Sequence, residues 1–133
     1  MAGSKTDFYE NKVLEHLFET AYAAPDPTYI ALFLEAAKPS DAGGGTEASG
    51  GSYARVSVAQ GTGWTTSGNA TENANDITFP EATASWGELG AFAIFDAATA
   101  GNMLYWGDLT TAKTINSGDT AKIPAGDLDI TED

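Results

Sequence analysis

The sequence predicts a mainly β protein, an antiparallel β-sandwich of jelly-roll-like or immunoglobulin-like kind with one short N-terminal helix. Three observations predict it. Apolar residues at helical spacing occur once, near the N-terminus; from residue 28 onward they fall in short or alternating runs; and turn residues separate those runs in a chain with 15 Gly and 5 Pro. At 133 residues the chain is expected to be a single domain that buries roughly two-thirds of its unfolded surface. We divide it into a helix and arm over residues 1–24 and a sandwich body over residues 28–133.

The helix opens with Asp7 as a candidate cap and Glu10 at capping-box spacing, and Tyr9, Val13, Leu14, Leu17, Phe18 and Ala21 make a stripe that must pack on something. It ends before Ala24-Pro25-Asp26-Pro27, because proline forces the preceding residue out of helical geometry. Residues 28–36 (TYIALFLEA) are almost continuously apolar, which suits a strand covered on both faces, by the sheet core and by the helix or a neighbouring subunit. Residues 38–52 contain five glycines and no large apolar side chain, so they form a long surface loop with a binding or assembly role, or a mobile one. In YARVSVA, residues 53–59, alternation places Ala54, Val56 and Val58 on one face and Tyr53, Arg55 and Ser57 on the other.

Residues 61–76, polar around Trp64, make a second long connection, and residues 77–79 a short strand stopped by Pro80. Residues 90–95 (GAFAIF) and 103–109 (MLYWGDL), joined through Gly101-Asn102, form the clearest hairpin. Residues 113–116, a Ser-Gly-Asp turn, and residues 121–130 with a Pro-Ala-Gly interruption complete the chain.

The formal charge of −13 excludes nonspecific phosphate binding, because that affinity comes from Lys and Arg displacing counterions; no nucleic-acid or membrane partner is expected. The absence of cysteine excludes disulfides and zinc knuckles. Charges spread through the first twenty residues leave no uninterrupted signal-peptide core, and no stretch approaches the ~18 apolar residues of a membrane span. Manufacture and assembly in a cytoplasm are the expectation.

Catalytic chemistry is poorly supplied. The single histidine, His16, lies off the apolar stripe; no nucleophile elbow, phosphate loop or zinc-protease motif occurs; and Gly43-Gly44-Gly45 lacks a following lysine. Asp127, Asp129, Glu132 and Asp133, or Asp41 and Glu47, are acidic enough to ligate calcium, but alternation explains the first group more simply by turning Leu128 and Ile130 inward and Asp127 and Asp129 outward. We expect no enzyme, no cofactor and no metal. The aromatics are read as core or interface anchors in preference to a sugar platform. The one arginine, Arg55, is read as a bidentate partner for a carboxylate, within the chain or across an interface. Interface candidates are Tyr29, Phe33, Tyr53, Arg55, Trp64 and Trp86.

The loop motifs 50–55 (GGSYAR), 85–87 (SWG), 96–99 (DAAT) and 117–119 (SGD), set among segments such as YIALFLEA and KTINSGDTAKIPAGDLDIT, resemble those of small virion proteins of tailed bacteriophages, head-associated or tail-fibre, over nearly the whole chain. Where that family's hairpin carries Gly-Gly, this chain has Ala100-Gly101. The resemblance implies a non-enzymatic virion protein. Within it we expect a capsid decoration or cement protein that binds the major capsid protein or other virion subunits, as a homo-oligomer with a trimer favoured. A tail-fibre or receptor-binding module is the alternative, ahead of a carbohydrate-binding module or small hydrolase.

Overall fold

The computed structural model describes residues 1–132. It contains β1 (Ala2–Lys5), α1 (Asp7–Phe18), β2 (Thr28–Leu34), a short 3-10 turn (Glu35–Ala37), β3 (Val56–Val58), β4 (Trp64–Ser67), β5 (Ala70–Asn73), β6 (Ile77–Thr78), β7 (Gly87–Phe95), β8 (Met103–Ile115), β9 (Lys122–Ile123) and β10 (Asp129–Thr131). Eight strands form one nearly closed sheet in the order β3-β2-β7-β8-β1-β10-β5-β4, and β6 pairs with β9 beside it. All pairings are antiparallel except β1 with β10. The mainly β, sandwich-like fold with one short helix is therefore as the sequence predicts.

The N-terminal residues depart from the expected arm. Ser4 and Lys5 pair with Trp106 and Tyr105 of β8, while Ala2 and Gly3 pair with Asp129 and Ile130 of β10. By changing partner along its length, β1 joins the β3-β2-β7-β8 half of the sheet to the β10-β5-β4 half. Small residues make that slot possible. A Cβ on Gly3 would lie 2.8 Å from the Ile130 side chain and 3.0 Å from Phe92.

Alternation along β2 and β7 divides the interior in two. Ile30, Leu32, Leu89, Phe92 and Ile94 join Phe79, Trp86, Leu128 and Ile130 in the main core, while Ala31, Phe33, Ala91, Ala93, Phe95 and Met103 form a second cluster on the other face. This explains the unbroken apolar run of β2, since both its faces are covered. Within the chain, part of the second cover is supplied by the Gly-rich loop, the start of α1 and Arg55. Trp106 Nε1 donates to Asp41 at 2.8 Å, the Asp7 amide donates to the Asp41 carbonyl at 2.8 Å, and the Arg55 guanidinium lies 3.7 Å from the Phe95 ring centre.

The loop predicted over residues 38–52 is pinned at several points. The Thr46 carbonyl accepts from the Leu34 amide, the Ala48 amide donates to the Leu32 carbonyl, and the Gly51 carbonyl accepts from Trp86 Nε1, each at 2.9 Å. Residues 103–109 and 113–116, expected as separate strands, are one strand. β8 stays paired with β7 by bulging over residues 109–112, where Leu89 faces Lys113 and Ala91 faces Asp108. The hairpin is as predicted, with Asp96 accepting from the Asn102 amide and side chain at 2.7 and 3.0 Å. Ala100 sits at φ 52°, a left-handed conformation that glycine adopts without steric cost.

Candidate functional site

The Arg55 guanidinium donates four hydrogen bonds, all within the chain. Nε and one terminal nitrogen grip the two oxygens of Glu47 at 2.9 and 2.8 Å, and the other terminal nitrogen donates to the carbonyls of Ala97 and Ala100 at 2.8 and 2.9 Å. Its side chain is 7% exposed. The arginine therefore ties three segments together: the end of the Gly-rich loop, the approach to β3, and the β7–β8 turn. Of the two readings open at the sequence level, a carboxylate within the chain is the one that the geometry realises.

Tyr53 completes the clasp. Its hydroxyl donates to Glu47 Oε2 at 2.8 Å and accepts from the Leu32 amide at 3.0 Å, and its ring packs on Phe79 and Trp86. The strict alternation expected for residues 53–59 fails here because the strand begins only at Val56 and Ser52 turns the chain at φ 66°. Removing the hydroxyl in Tyr53→Phe leaves a buried amide without its acceptor and is expected to cost roughly 1–2 kcal/mol in chemical denaturation.

Burial raises the phenols of Tyr9, Tyr22, Tyr53 and Tyr105 above their ordinary range, and nearby carboxylates add to the effect: Glu132 for Tyr9 and Tyr105, Asp96 for Tyr22 and Glu47 for Tyr53. Neutral phenol is thus favoured in the fold, whereas the unfolded chain loses these protons near pH ~10. The folded state then holds more protons than the unfolded state, so stability is full below about pH 10 and falls as pH rises beyond it. Denaturant midpoints measured between neutral pH and about pH 11 should show this decline, and Tyr53→Phe should flatten it.

The other interface candidates are distributed differently. Phe33 and Trp86 are buried in the two clusters at 3% and 4% exposure, so neither presents a surface, because strand alternation and the Gly51 carbonyl turn them inward. Tyr29 is half-buried beside the second cluster, and Trp64 is half-buried on β4, the last strand of the sheet. Four of the six acidic residues that could serve calcium have other partners. Glu47 belongs to Arg55 and Tyr53, Asp41 accepts from Trp106, Asp129 faces the N-terminal amine at 3.8 Å, and Glu132 meets Lys5 and Tyr105. Asp127 is exposed, and Asp133 lies outside the described residues. Among the described residues no group of three metal-ligating side chains occurs, and no helix is long and apolar enough to cross a membrane.

α1 carries a surface that the stripe alone did not locate. Thr6, in place of the expected Asp7, caps it by accepting from the Tyr9 amide at 3.3 Å while its hydroxyl donates to the Met103 carbonyl at 2.6 Å. At about 100° per residue, the half-buried Phe8, Tyr9, Lys12 and Glu15 occupy one arc, which faces the body through Tyr9 against Tyr105 and Tyr22. Val13, Leu14, Leu17 and Phe18 occupy the opposite arc at 39%, 59%, 73% and 73% exposure, and they are the exposed large apolar residues of the described chain. The helix is seated on its more polar side with its apolar side turned outward.

No curated protein matches the chain. A family model, Gp80, described as podophage GP4 fiber I protein gp80, matches residues 4–131. From the middle of the sheet-joining strand β1 to the end of β10, through the clasp and the outward-facing helix, this chain belongs to that family of phage virion proteins.

Proposed function

We propose that the chain is a non-enzymatic structural subunit of a phage tail fibre, made and assembled in the host cytoplasm. The observation that carries this reading is the match of nearly the entire chain, residues 4–131, to a family described as a fibre protein. That description favours the fibre over the capsid decoration role expected from the sequence. The fold suits the task. Arg55 and Tyr53 cross-tie loops, β1 joins two halves of the sheet, and the large apolar side chains exposed among the described residues lie on one helix.

Self-association, with a trimer favoured, belongs to the same proposal. The free edge of β4, which carries the half-buried Trp64, is the place we assign to it. Particles assembled without this chain are expected to lose adsorption to host cells while their heads keep the heat resistance of complete particles. Normal adsorption together with heat-fragile heads would return the protein to the cement role.

A further inference from the structure

We propose that the outward arc of α1 is the docking surface through which this chain mounts on a different virion protein, one that offers an apolar groove bordered by Lys or Arg. The inference rests on the fibre reading for its setting but not for its geometry. An amphipathic helix normally buries its apolar stripe, since leaving it in water forfeits the favourable term that ordering the side chains must offset. Here the stripe is free because the helix is seated from the other side, where Tyr9 packs on Tyr105 and Phe8, Lys12 and Glu15 are half-buried. The result is that the four large apolar side chains most exposed among the described residues share one arc of one helix, and clustered exposure of this kind, unlike single scattered residues, marks interaction sites.

Charge selects the occupant. On the helical wheel Asp7 and Glu10 lie on the same arc, one or two turns before Val13, and both are exposed; the arc holds no cation. A second copy of this chain is a poor complement. Of that copy's six Lys and Arg residues five already face carboxylates, as Lys5–Glu132, Lys12–Glu15, Lys38 with Glu35 and Asp108, Arg55–Glu47, and Lys122–Asp76, so it has little free positive charge to set against this arc. Among the described residues that leaves Lys113 as the one Lys or Arg without a carboxylate partner. A groove with basic residues at the end that receives the N-terminal turn of α1 satisfies both halves of the arc, and electrostatic complementarity of this kind fixes orientation.

The test uses assembled particles. A photoreactive phenylalanine analogue is placed at position 18, the chain is supplied during phage growth, and purified particles are irradiated and digested for mass spectrometry. The expected product joins position 18 to a peptide of a different chain that contains Lys or Arg beside apolar residues. In parallel, Leu17→Glu with Phe18→Glu, and separately the uncharged near-isosteres Asp7→Asn with Glu10→Gln, should each reduce incorporation into particles at least ~10-fold while the chain stays folded by circular dichroism. A cross-link to a second copy, no cross-link, or undiminished incorporation of either variant overturns the proposal. A cross-link to a head protein would sustain the docking surface and overturn the fibre reading, so the two fail separately.

Discussion

Arg55→Ala is expected to lower the melting temperature by roughly 10 °C, a loss of about 3 kcal/mol for a chain of this size. Removing one member of a buried ion pair leaves the other without its counter-charge, and such losses run to about 3–5 kcal/mol. We place this one at the lower end because Glu47, unlike Arg55, keeps 24% of its side-chain surface in water. The same substitution strips the Ala97 and Ala100 carbonyls of their donor and uncovers the Phe95 ring. Glu47→Ala should cost a similar amount. Because both variants remove the same interaction, the double variant should lose much less than the sum of the two, which a double-mutant cycle measures directly. Additive losses would mean that Arg55 acts through its carbonyl contacts and Glu47 through Tyr53, with little coupling between them.

The second large effect is expected at Gly107. Its α-carbon faces β1 so closely that a Cβ there would overlap the Ala2 carbonyl oxygen and come within 2.8 Å of Phe92 and 2.9 Å of the Gly3 α-carbon. Backbone on one side and a fully buried ring on the other leave nothing flexible to give way. Gly107→Val should therefore displace β1 from β8 at a cost of about 3 kcal/mol or more, the upper range for overpacking. Since β1 joins the two halves of the sheet, the loss should appear as rapid amide exchange at residues 2–5 and in β10 in addition to a lower melting temperature. Slow exchange at those residues in a stably folded variant would show that the slot is wider than described.

These two sites also mark the boundary of what the sequence discloses. The alternating runs, the hairpin around Gly101-Asn102 and the doubly covered strand at residues 28–34 are legible because period-two patterning and turn chemistry are local properties. The strand β1 is not, because Ala-Gly-Ser-Lys has neither β-branched nor aromatic residues; it is a strand on account of the narrow slot that Gly3, Gly107 and Phe92 create from opposite ends of the chain. A bidentate carboxylate for Arg55 was foreseeable from its chemistry. Its identity was not, since the path of a Gly-rich loop decides whether Glu47 or another acid meets it. Trp86 and Phe33 were candidates for an interface because large aromatics serve cores and interfaces alike, and only the fold distinguishes the two.

The helix shows the same division. Of the stripe read from spacing, Val13, Leu14, Leu17 and Phe18 do lie together, whereas Ala21 falls beyond the end of the helix and Tyr9 turns to Tyr105 and Tyr22, which decides the direction in which the rest points. A pattern that ordinarily predicts burial here predicts contact with another protein. The fibre assignment, the self-satisfied body and the outward helix form one account of a subunit that is rigid within itself and attached at a defined surface.

The most direct test of that account is to image particles in which this chain carries an electron-dense label, or to locate it by antibody decoration in electron micrographs of intact virions. The account predicts label on the appendages of the tail and a bare capsid shell. Label spread regularly over the shell, or particles with none at all, would contradict it.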